Sequence, residues 1–333
     1  MPRIGSVSGR SLANASTRRT FIAYPFVSAN ISAIASTSQL GGGNRIDVVS
    51  TWTLTATTVR FVGTGIPYHS YYNSAAMIVP GVQNYNLTWT YRGGKAIEAS
   101  GFATTAGTTI GLWLNGVAMF GPADVGVPDG FTKVIGFTYN AAYESSIELN
   151  YELGSDFAGG HAVSTNKYHY HDGSFFDAWL TGIGHVSGNY GVTGLAETSV
   201  IKYLYSGLYH ADGHSKILGI SADGYPVYGP YGYANSTISS SGIKRMVSGY
   251  TLNSPDSRIG TAAENTTQYP LGIFIEDYSF TASGDLDQHN GRYCVTPDYP
   301  SGTYAYFVTL NSLLKPVYPY IIGSTFYGTP AIL

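Results

Sequence analysis

A chain of 333 residues with 44% hydrophobic side chains can bury a real core, which excludes a disordered protein. Charged residues make up only 11% and the formal net charge is −3, so no basic field exists to hold a phosphate backbone and nucleic acid is excluded as a partner. A single cysteine, Cys294, excludes an intramolecular disulfide and a bridge-stapled secreted fold, and it suits a reducing compartment.

Residues 1–45 read as an N-terminal arm. They carry Arg3, Arg10, Arg18 and Arg19 with no acidic residue before Asp47, show no clear hydrophobic period, and close with Gly41-Gly42-Gly43. Phe21 to Val27 is interrupted by Pro25, and no stretch approaches the roughly 20 apolar residues of a membrane span. Neither a leader nor membrane insertion is expected. Asn-x-Ser/Thr sequons begin at Asn14, Asn30, Asn86, Asn235 and Asn265 and matter only if the chain is secreted.

The body, 46–333, is expected to be all-β with a minor helical part. Forty-two glycines and 29 tyrosines suit pleated surfaces and the turns between them, whereas long helices would want more Ala, Leu, Glu and Lys. Ile46, Val48, Trp52, Leu54, Val59 and Phe61 recur at mostly even spacings, the period of half-buried strands. Further strands are predicted over Asn86 to Tyr91, Ile110 to Met119, Val134 to Tyr139, Ser146 to Leu153, Lys167 to His171, Ile217 to Ile220 and Thr303 to Leu310. Glu197 to Tyr205 is the one predicted helix, with Val200, Ile201 and Leu204 on one face.

The body also repeats itself. Ile110-Gly111-Leu112-Trp113-Leu114-Asn115-Gly116-Val117-Ala118-Met119-Phe120-Gly121-Pro122 matches Leu218-Gly219-Ile220-Ser221-Ala222-Asp223-Gly224-Tyr225-Pro226-Val227-Tyr228-Gly229-Pro230, 108 residues later (224 − 116). Each copy is a strand, an Asn-Gly or Asp-Gly turn, a second strand and a Gly-Pro stop, which spells a tight hairpin. Tyr168-His169-Tyr170-His171 finds its counterpart in Tyr304-Ala305-Tyr306-Phe307, 136 residues later (304 − 168). The expectation is one sandwich- or barrel-like body of two related halves, about 60–172 and 203–333.

On a strand, His169 and His171 point to one face and Tyr168 and Tyr170 to the other. Two imidazoles at i and i+2 can share a metal, with a third ligand from His161, His214, His289 or Asp172. The metal set this suggests is His161, His169, His171 and His214, with zinc as first choice and copper or iron as alternatives. The other reading is a buried cluster hydrogen-bonded to tyrosines and carbonyls with no ion. Ala305 and Phe307 in the second copy mark the histidine face as core-facing.

His210-Ala211-Asp212-Gly213-His214 reads as a turn with Asp212 bonding local amides, and His69 as a loop residue. Cys294 reads as a packed thiol; Glu276-Asp277 and Asp285 with Asp287 read as solvated turns or calcium-like loops rather than acid/base pairs. No nucleophile elbow or phosphate-binding glycine loop is present. An enzyme would rest on the histidine cluster alone and is not the first expectation; no catalytic residue is assigned.

Gly65-Ile66-Pro67-Tyr68-His69, Gly159-Gly160-His161, the Tyr168 to His171 run, His214-Ser215-Lys216, Asp223 to Pro230, Leu286 to Arg292 and Thr296 to Tyr304 together resemble the YHYH-domain family from about residue 60 onward. The resemblance implies a family found in bacteria, eukaryotes and viruses, often exported, with no firmly assigned chemistry. With no leader evident and a polar arm ahead of the body, the expected function is that of a bacteriophage virion subunit of the tail, baseplate or fibre. On that reading it assembles in the host cytoplasm through the arm, with its tyrosines facing a host-surface glycan or protein. The alternatives are a metal-dependent enzyme and an extracellular surface- or carbohydrate-binding module.

Overall fold

A computed structural model describes residues 28–31, 36–39, 45–48, 50–66, 80–95, 104, 108–124, 137, 139–140, 160–162, 165–172, 209–312, 315–331 and 333. Among the described residues the first ten strands are β1 Ser28–Ile31, β2 Ser36–Gln39, β3 Arg45–Val48, β4 Ser50–Thr55, β5 Thr58–Gly63, β6 Tyr85–Thr90, β7 Thr109–Trp113, β8 Ala118–Phe120, β9 Ala123–Asp124 and β10 Tyr139–Asn140. The run itself lies on β12 Tyr168–Tyr170, beside β11 Gly160–Ala162. The second half holds β13 Ile217–Ser221, β14 Pro226–Tyr228, β15 Tyr231–Asn235, β16 Ile238–Arg245, β17 Tyr250–Leu252, β18 Tyr278–Phe280, β19 Gly291–Cys294 and β20 Thr303–Phe307. Two 3-10 turns, Pro255–Arg258 and Ile275–Asp277, are the helical structure among the described residues. None of it is long and apolar enough to cross a membrane.

The expected all-β class is met, and the body is layered. An eight-stranded sheet runs β11-β12-β8-β7-β13-β14-β20-β19, and a four-stranded antiparallel sheet runs β1-β4-β5-β6; among the described residues neither closes into a barrel. The large sheet is symmetric about its middle. In each half a hairpin is joined in parallel by the Tyr-x-Tyr strand, which an antiparallel edge strand then flanks. At the centre β7 and β13 pair with Leu112 opposite Ile220, its own counterpart at the 108-residue offset, so a local two-fold axis passes through that pair. Gly111 and Gly219 occupy equivalent places there. A side chain at either would meet backbone of the opposite strand, Ile220 O at 2.7 Å or Leu112 O at 2.6 Å.

Both hairpin turns place glycine at positive φ, 88° at Gly116 and 85° at Gly224, the conformation that favours glycine. The residue before it ties the turn to the Tyr-x-Tyr strand. Tyr306 donates to Asp223 Oδ2 at 2.6 Å, and Asn115 Nδ2 donates to the Tyr170 hydroxyl at 3.4 Å.

The two faces of the large sheet carry different cores. Tyr168, Tyr170, Tyr304 and Tyr306 pack with Met119, Val227 and the C-terminal segment's Tyr318, Tyr320, Ile321, Phe326 and Tyr327. Ala118, Phe120, Ala305 and Phe307 pack on the opposite face against Trp52, Leu54, Val59, Phe61, Tyr85 and Trp89 of the four-stranded sheet. Trp52 donates its indole N–H to Leu114 O at 3.1 Å and Trp89 to Ser221 O at 3.0 Å, fixing one sheet on the other.

Several expectations change at this level. Part of the 1–45 stretch forms strands despite lacking a period: β1 pairs with β4 of the body, and β2 with β3. Backbone pairing with an existing strand needs no alternation. Asp277 is not in a solvated turn but buried against Arg258, whose guanidinium also donates to the carbonyls of Ala263, Tyr269 and Pro270, clipping the segment between β17 and β18 together. Asp287 is likewise engaged, accepting from the Tyr304 hydroxyl at 3.0 Å. Ser146 to Leu153, Glu197 to Tyr205 and His69 lie outside the described residues, as does most of Val134 to Tyr139.

A buried three-histidine site

The site is assembled by the edge of the large sheet. β11 and β12 pair with His161 directly opposite His169, and alternation along β12 carries His171 to the same side. The ring nitrogens of His161, His169 and His171 available as ligands all lie within 4.8 Å of one another, and all three residues are buried. Ring centroids are separated by 4.5 Å for His161 and His169, 5.3 Å for His161 and His171, and 4.7 Å for His169 and His171. Phe120 stacks on the His169 ring at 3.8 Å and meets His171 edge-on, closing the floor.

Hydrogen bonding fixes the tautomers. His169 Nδ1 lies 3.1 Å from Lys167 O and His171 Nδ1 lies 3.1 Å from Gly121 O. A carbonyl oxygen only accepts, so both Nδ1 atoms carry hydrogen and, in the neutral rings, both Nε2 atoms carry lone pairs. Those two lone-pair atoms face each other at 2.9 Å. Such a contact is repulsive unless a proton or a cation lies between them. Burial, followed by the neighbouring His171 and His161, pushes the His169 pKa well below the ordinary histidine value, so the proton is disfavoured. A cation held between them would satisfy the contact, and an imidazole donating its other nitrogen to a backbone carbonyl is the usual support of a metal ligand. Two nitrogens on a tetrahedral zinc stand about 3.3 Å apart, an opening of a few tenths of an ångström from the observed contact.

The second half shows what replaces the site. The register that sets His161 opposite His169 sets Arg292 opposite Ala305, and Phe307 stands in the place of His171. The Arg292 guanidinium carbon lies 5.4 Å from the centre of the Phe307 ring, so in this half a side-chain cation stands against the aromatic ring.

Of the residues foreseen as ligands, His161, His169 and His171 come together and His214 stands apart. His214 lies in the second half, ringed by Tyr228, Tyr233, His210 and Phe307. Its Nδ1 lies 2.7 Å from Ser215 O and its buried Nε2 has no partner. The 210–214 segment is the expected turn: Asp212 Oδ1 accepts from the His214 amide at 3.0 Å. His289 is held by Thr325, and Asp172 is buried just beyond the run. Cys294 is a packed thiol whose pKa burial raises to about 11. Sequence reasoning missed Phe120, Gly121 and Lys167 as supports, although Phe120-Gly121 stands in plain view at the hairpin's Gly-Pro stop.

Fold and site together define a duplicated β protein built around two packed sheets, with a three-histidine cluster that, among the described residues, lies in the first half. The chain belongs to the family described as YHYH protein, whose model matches residues 94–319, two thirds of the chain. Comparison with curated proteins and with solved structures finds no match.

Proposed function

We propose that this protein binds one divalent transition metal, zinc by first choice, through Nε2 of His169 and His171 and a ring nitrogen of His161. The observation that carries this reading is the pair of facing Nε2 atoms, each denied a hydrogen by the carbonyl bonded to its own Nδ1. The Arg292 guanidinium in the equivalent place of the other half supports it, because the fold accommodates a positive charge there. Three protein ligands leave a position open, the arrangement of catalytic rather than structural zinc sites.

Elemental analysis of the purified chain tests the reading. One equivalent of metal is expected in the parent, and none in a His169→Ala, His171→Ala double variant whose circular dichroism remains that of a folded β protein. Metal-free parent protein that takes up no zinc, copper or iron on reconstitution removes the proposal.

For the setting in which the centre works, the reading is a bacteriophage virion subunit of the tail, baseplate or fibre that docks to neighbouring subunits through its N-terminal stretch. The Arg-bearing N-terminal sequence and the low-charge, Tyr- and Gly-rich composition support this setting. Recovery of the chain in many copies within particles separates it from an extracellular binding module.

A further inference from the structure

The charge around the site has a direction that the ligand set alone does not reveal. Three neutral imidazoles contribute no negative charge, so a divalent ion would keep both of its charges inside a buried, aromatic-floored site. Among the described residues, the ionisable groups whose charge would act on His169 are His171, His161 and Lys167, all of them bases. Lys167 lies on the same strand as the ligands, two residues before His169; its carbonyl holds His169 Nδ1, and its ammonium group donates to Thr109 Oγ1 at 3.2 Å. The carboxyl closest along the chain, Asp172, is buried in the bend that follows β12, and its charge acts on Tyr320. Burying an uncompensated double charge is strongly unfavourable, and an anion placed against it removes most of that penalty. The strand carrying His161 is the sheet's edge among the described residues, so the ion can be approached from that side.

We infer that the open position of this centre is filled by an anion from outside the chain, a small monoanion or the carboxylate or phosphate group of a larger ligand, with Lys167 adding to its attraction. The inference rests on the metal reading and goes past it, since it states the charge class of what the metal holds. A fourth ligand supplied by the protein, or a neutral water, is the competing outcome.

Cobalt(II) loaded in place of the native metal gives a visible spectrum that reports its ligands. Titration of the cobalt protein with azide, and separately with acetate, is expected to change that spectrum to saturation with one site and with mutual competition. Replacing Lys167 by Met is expected to weaken azide binding several-fold, and Lys167→Arg to restore it, because both variants keep the main-chain carbonyl that orients His169. A spectrum indifferent to both anions overturns the inference while leaving the metal site standing. Absence of cobalt binding removes the metal reading and this inference with it.

Discussion

His214 shows what a buried imidazole does where no cation is indicated. It is fully buried, its Nδ1 hydrogen goes to Ser215 O, and burial pushes its pKa down to about 4. The folded state therefore binds this proton less readily than the unfolded chain, whose histidines titrate near 6.5. The stability associated with a neutral His214 is fully present above about pH 6.5 and is lost as pH falls toward 4, amounting to about 3 kcal/mol at most. Chemical unfolding of the parent and a His214→Phe variant across that range should show the parent losing stability relative to the variant on acidification. A pH-independent difference between them would show that His214 does not carry the acid sensitivity. The same residue marks how far sequence reaches at this scale. Alternation alone placed His169 and His171 on one face, but choosing His161 over His214 or His289 required the β11 to β12 register. A three-residue strand has too few positions to display a period.

At the scale of elements, the hairpins were legible because the chain repeats them. Two copies of strand, turn, strand and Gly-Pro stop state the pairing more firmly than either copy would. The partners that complete each half were less visible. β12 joins β8, and β20 joins β14, across long connections in parallel, and parallel pairing has no local turn signal. The turn residues Asn115 and Asp223 secure those long-range partners, and they do so unequally. Asp223 accepts from the Tyr306 hydroxyl, from the Gly328 amide at 2.8 Å and from Ser221 Oγ, whereas Asn115 meets Tyr170 only through its 3.4 Å bond and otherwise accepts from Val117 N. Asp223→Ala strands several buried groups at once and should cost roughly 3–4 kcal/mol, while Asn115→Ala should cost about 1 kcal/mol. Denaturant midpoints of the two variants check the ranking, and equal losses would mean that the second-half turn is no more than a spacer.

Across the whole molecule, the decisive feature is that the halves share one sheet. The duplication was readable, but not that its axis would fall between β7 and β13 with Leu112 facing Ile220, because the sequence shows that two units are alike and not how they meet. A hydrogen-bonded seam at the centre, covered on one face by Trp52 and Trp89 and on the other by the tyrosine core, leaves neither half a finished core of its own. Metal bound near one edge of this sheet should therefore stabilise all of it. A ligand held only by the folded state adds about 4 kcal/mol at a thousandfold excess over its Kd, which for a chain of this size raises the melting midpoint by roughly 6 °C. Calorimetry of the metal-free and metal-loaded protein should show one transition in each case, the loaded one higher, with amide exchange slowing in β14 and β20 as well as in β8 and β12. Two transitions, of which metal moves only one, would mean that the halves fold as separate units despite the continuous sheet. The protection of strands distant from the histidines thus tests how far a cation on His161, His169 and His171 is felt.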